Sequence, residues 1–97
     1  MAYVYFLFSE KDQGWYIGCT SLDVHERLCR HLAGTVRSTK WRRPLLLAYF
    51  EEYVTNSEAR KREWYLKKPS GYLEKLVITR FLLWNKLSWP RRGPLRD

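Results

Sequence analysis

Apolar and polar positions divide the chain into short blocks. Residues 3–8 (YVYFLF) form one apolar run rich in β-branched and aromatic side chains, and that run predicts a mostly buried strand. The polar stretch 9–14 separates it from a second apolar run over 15–19, so the two predicted strands pair antiparallel and bring Tyr5 and Tyr16 onto neighbouring strands. From Val24, the recurrence of Leu28 and Leu32 every four residues predicts an amphipathic helix, with Thr20 or Ser21 as its cap and Gly34 as its stop. Arg27 and His31 flank that apolar stripe one turn apart and project from the same side.

Residues 45–53 (LLLAYFEEY) read as a third strand after Pro44. Thr55 with Glu58 fits a capping box that opens a second helix running through Lys68, with Ala59, Glu63 and Leu66 on one face. Pro69 breaks the chain and Ser70 can cap a third helix. Leu73, Leu76, Val77, Phe81, Trp84 and Leu87 keep a helical period there, which predicts a core helix packed on the sheet. The expected fold class is α+β, a small three-stranded antiparallel sheet flanked by three helices. The expected division is one domain over residues 1–89 and a mobile basic tail over 90–97.

Composition narrows the partners. Ninety-seven residues that are 45% hydrophobic suffice for one modest core. The net charge of +8 favours a polyanion, because clustered Lys and Arg neutralise phosphates and release their counterions. Cys19 and Cys29 lack the spacing of a zinc site or a disulfide framework and read as reduced thiols. The apolar first strand has neither a basic leader nor a cleavage motif, and no apolar run approaches the ~20 residues that span a bilayer. A cytoplasmic protein without membrane contact is expected.

The charges are placed unevenly. Arg37, Lys40, Arg42 and Arg43 surround Trp41 in the loop 34–44, a composition that suits a nucleic-acid backbone with an unstacked base, or else a solvated loop whose Trp41 covers part of the core. Arg60, Lys61, Lys67 and Lys68 give the second helix a basic face. A carboxylate on the inward face at Glu63 requires a cation, either a bound ion or Lys67 one turn on. A tyrosine at a strand end beside Arg27 and His31 makes a pocket suited to a phosphate.

Taken together, Tyr3-Val4-Tyr5, ten intervening residues, Tyr16-Ile17-Gly18, then Thr20, Arg27, His31, Gly34, Arg43-Pro44 and Glu63 resemble the GIY-YIG nuclease domain, most of all its short stand-alone bacterial branch, over about residues 2–80. The resemblance implies a metal-dependent endonuclease that hydrolyses phosphodiester bonds in DNA. Tyr5 matches the tyrosine of the first motif, Tyr16 that of the second, and Arg27 the helix arginine. His31 falls where many members have histidine, and Glu63 matches the metal-binding glutamate. Glu63 would then hold Mg2+ or Mn2+, Arg27 would stabilise charge on the phosphate, and Tyr5, Tyr16 and His31 would share the handling of the attacking water in interchangeable roles.

Two positions depart from the pattern. Tyr3 stands where the name-giving motif has glycine, and the asparagine some branches place after the glutamate has no counterpart except the distant Asn85. Trp15 and Trp41 with the basic loop favour single-stranded or branched DNA, since stacking requires an unpaired base. A catalytically inactive nucleic-acid-binding module remains the alternative, as does a nuclease subunit that requires a homodimer or another protein partner, with Trp84 and Trp89 as the contact.

Overall fold

In the computed structural model, residues 1–86 and 89–93 are described. They form β1 (Ala2–Ser9), β2 (Trp15–Thr20), α1 (Val24–Leu32), β3 (Leu45–Tyr53), α2 (Asn56–Lys67), α3 (Tyr72–Trp84) and β4 (Arg91–Arg92). The sheet order is β2-β1-β3-β4. The α+β class and the three helices agree with the sequence reading, and the hairpin registers Tyr5 against Gly18 and Leu7 against Tyr16.

The sheet has one strand more than expected. Arg91 and Arg92 pair parallel with Tyr49 and Phe50, so this part of the expected basic tail joins the sheet edge. Residues 94–97 of that tail, and Leu87 of the expected third-helix stripe, lie outside the described residues.

The sheet separates two cores. Tyr5 and Leu7 of β1, Leu45 and Leu47 of β3 and Val24 of α1 pack on one side. Val4, Phe6, Ile17 and Tyr53 pack on the other with Ala59 and Leu66 of α2 and Leu82 of α3. A bulge lets β3 serve both sides: Phe6 pairs with Tyr49 but Leu7 pairs with Leu47, leaving Ala48 as the extra residue. Leu45 and Leu47 therefore face α1, while Tyr49 and Tyr53, at the same parity, lie in the opposite core.

Local chemistry corrects three expectations. Asp23, not Thr20 or Ser21, caps α1: its carboxylate accepts from the amides of His25 at 3.0 Å and Glu26 at 3.3 Å, and its negative charge also suits the helix N-terminus. Leu32, expected on the buried stripe, is exposed, and His31 takes the inward position. Ser70 caps nothing, because Pro69–Gly71 forms a 3-10 turn that runs directly into α3.

The third helix also turns the other way. Leu73, Val77, Phe81 and Trp84 lie on its solvent side, and Thr79 and Leu82 are buried. This helix is apolar almost all round, so a helical period could be traced along either face. At its start Gly71 lies close against the end of α2, where a Cβ would collide with the Tyr65 carbonyl. Thr55 caps α2 as expected, accepting from the Glu58 amide at 3.2 Å.

Candidate active site

The site forms where β1, β2 and α1 meet. Tyr5 is buried at the centre of β1, and its phenol fits there because residue 18 is glycine: a Cβ at that position would sit 2.6 Å from Tyr5 Oη. Arg27 and His31, one turn apart on α1, both reach this hydroxyl. Arg27 Nε donates to Tyr5 Oη at 3.2 Å, and His31 Nε2 lies 2.9 Å from the same oxygen. The half-buried Tyr16 completes the group, its ring centroid 6.3 Å from that of Tyr5 and 5.4 Å from that of His31.

Thr39 is a member that the sequence did not suggest. It is fully buried, and its hydroxyl lies 2.6 Å from His31 Nδ1. His31 thus bridges Tyr5 and Thr39 through its two nitrogens, one donating and one accepting while the ring is neutral. Burial, aided by the Arg27 charge, lowers its pKa to about 4, so at neutral pH the ring is uncharged. Burial likewise pushes Tyr5 up to about 12 despite the opposing Arg27 hydrogen bond, so its proton is held firmly.

Gly34 ends α1 as expected, with φ of +78°. A Cβ there would sit 2.8 Å from the Arg43 guanidinium, which donates to the Leu32 carbonyl at 3.2 Å and so satisfies one free acceptor at the helix end.

Glu63 lies on the half-buried side of α2 and accepts from Lys67 Nζ at 3.1 Å, the ion pair its spacing allowed. The same ammonium sits 5.6 Å from the Tyr16 ring centroid, which joins Glu63 to the tyrosine group. Cys19 of β2 is adjacent: burial, then the Glu63 carboxylate, pushes its thiol up. A polar pocket of about 320 Å3 opens beside it, lined by Arg27, Cys19, Thr20, Asn56 and Arg60 among others.

Among the described residues no three His, Cys, Asp or Glu side chains cluster as a ready-made metal cage. A single hard carboxylate nonetheless fits a magnesium-like ion, which keeps several waters and takes phosphate oxygens from its substrate. Glu63 is the residue that would hold it, after release from Lys67.

The other expected contacts are dispersed. Trp15 packs in the opposite core, with ring centroids 5.1 Å from Phe8 and 5.7 Å from Trp89. Arg42 is held by Asp12 at 2.7 Å, which lowers that carboxyl to about 2, and Arg43 caps α1. Trp41 stands 73% exposed with Lys40 Nζ 5.1 Å from its ring centroid, and Arg37 is exposed on the same loop. Arg60 and Lys61 are exposed on α2.

A family description, GIY-YIG catalytic domain, matches residues 1–76. The UPF0213 protein YazA of Bacillus subtilis is 39% identical over 69 residues, covering 70% of this chain and 69% of its own. A UPF0213 protein of Staphylococcus haemolyticus is 41% identical over 66 residues, covering 67% of this chain and 78% of its own. One from Clostridium perfringens is 39% identical over 69 residues, covering 70% and 72% respectively. No solved structure matches the chain.

Proposed function

The chain belongs to the GIY-YIG family of nucleases, which act on DNA, and from that premise we propose that it is an endonuclease that hydrolyses phosphodiester bonds in single-stranded or branched DNA with the help of one divalent cation. The observation that carries this reading is the hydrogen-bonded group of Tyr5, Arg27 and His31 beside Tyr16. A purely structural cluster has no need of an arginine that contacts a phenol through Nε while also lining an open polar pocket.

Each residue has a distinct task in this proposal. Arg27, fixed by Tyr5, offers its charge to phosphate oxygens as negative charge grows on them. Tyr5 is buried and committed to two partners, so its part is to hold the guanidinium and the His31 ring in place. Tyr16 is the more accessible phenol and is the one placed to orient the attacking water. Thr39 fixes the His31 ring. When bound at Glu63, Mg2+ or Mn2+ supplies Lewis-acid polarisation of the phosphate and the leaving oxygen.

A second reading, a nuclease subunit completed by a protein partner or a second copy, is favoured by the exposed apolar side of α3, where Trp84 is 89% in solvent. Sizing chromatography separates it from the monomer.

The deciding experiment is cleavage of end-labelled single-stranded, duplex, flap and RNA substrates with magnesium, manganese or chelator, wild type beside Glu63→Ala. Metal-dependent cutting that disappears in the variant while DNA binding persists is the expected result. Binding without cutting under every condition would leave a binding module or the subunit that awaits a partner.

A further inference from the structure

The outward side of α2 carries a surface that the catalytic group does not use. Trp64, one residue beyond Glu63, is 61% exposed. Lys68 Nζ lies 5.5 Å from its ring centroid. Arg60 and Trp64 stand one turn apart on α2, and Lys68 follows at its C-terminal cap. With Asn56, Lys61 and Tyr65 they line an open groove of about 620 Å3.

The cations of this helix are treated in two ways. Arg62 is half-buried and paired with Glu51 and Glu74, and Lys67 is paired with Glu63. Among the described residues no carboxylate forms an ion pair with Arg60, Lys61 or Lys68. Three unneutralised cations therefore surround an exposed indole. That combination suits a ligand with regularly spaced negative charges and free aromatic faces. A nucleic-acid strand has both when its bases are unpaired, whereas in a duplex the faces are already stacked.

The groove is also continuous with the site. Asn56 and Arg60 line both the groove and the smaller pocket that contains Arg27. We propose that the Trp64 groove is the docking track for a single strand, with Trp64 stacking on one base, Lys61 and Lys68 meeting the phosphates around it, and Arg60 leading the backbone towards Arg27. This proposal rests on reading the Tyr5 and Arg27 group as the nuclease centre.

Binding of labelled oligothymidylate, followed by fluorescence anisotropy in the presence of chelator, tests the track without requiring cleavage. A duplex of the same length serves as the comparison. Trp64→Ala should weaken single-strand binding about ten-fold or more, the scale of one lost base stack, and change duplex binding less than about two-fold. Trp64→Phe should restore most of the loss. Because Trp64 is exposed, thermal melting of both variants should match wild type.

Equal losses for single strand and duplex, or no loss for either, would overturn the proposal. So would displacement of oligothymidylate by polyaspartate as readily as by unlabelled DNA, which would assign the groove to an acidic protein. A wild type that binds oligothymidylate through Trp64 yet cuts nothing with magnesium or manganese would leave the track standing and remove the nuclease reading.

Discussion

The two sides of the sheet each bury a polar cluster, and the two clusters are built on opposite rules. On the α2 and α3 side, the fully buried Glu51 accepts from Tyr49 and Tyr53 at 2.6 Å each and from Arg62 at 2.9 and 3.1 Å, and Arg62 also pairs with Glu74. Burial works to raise the Glu51 pKa, but these hydrogen bonds hold it below its usual value. On the α1 side, Tyr5, His31 and Thr39 are buried and neutral, and the one charge among them, Arg27, borders an open pocket. Charge is neutralised internally where the fold depends on it. It is left open to a polar pocket beside Tyr5.

Arg62→Met should break this comparison most severely. It strands the Glu51 carboxylate in the core, a loss on the order of 3–5 kcal/mol in unfolding free energy measured by urea denaturation. A loss below about 1 kcal/mol would show that the closed cluster does not hold the fold. Arg27→Ala should act on the other quantity, lowering the cleavage rate about 10²–10³-fold while unfolding free energy changes by about 1 kcal/mol or less. If stability fell as far as in Arg62→Met, the two clusters would be of one kind.

A third expected effect is on pH dependence. His31 has a folded pKa of about 4 against its usual 6.5, so as pH falls the unfolded chain takes up this proton first. The neutral ring therefore contributes stability that declines between about pH 6.5 and about pH 4 and then levels, by on the order of 3 kcal/mol at most. Denaturation across that range should give a shallower decline for His31→Gln than for wild type. The difference between the two proteins isolates His31 from Glu51, whose contribution is common to both.

The α1 side was the more legible in sequence, because its members obey local rules. Tyr5 and Tyr16 sit on runs whose hairpin spacing fixes their adjacency, and Arg27 and His31 are one helical turn apart. Thr39 escaped because its partner is reached through an irregular loop that no periodicity describes. Glu51 escaped because its cation comes from another element, eleven positions away, and a Glu-Glu pair at a strand end looks like solvated charge. The direction of α3 was illegible for a different reason: with apolar residues all round, its pattern carries no information about which side packs.

The bulge at Ala48 gives the third strand an unusual genetic property. Residues before it serve the side of Tyr5, and Tyr49, Glu51 and Tyr53 serve the side of Arg62, although their numbers share one parity. One codon thus shifts the numbering of everything downstream against the faces of the sheet. An in-frame loss of that codon would leave Phe6 opposite Tyr49 and Val4 opposite Glu51, each on its present face, so the bulge is a point where the strand can shed one residue without exchanging its two sides.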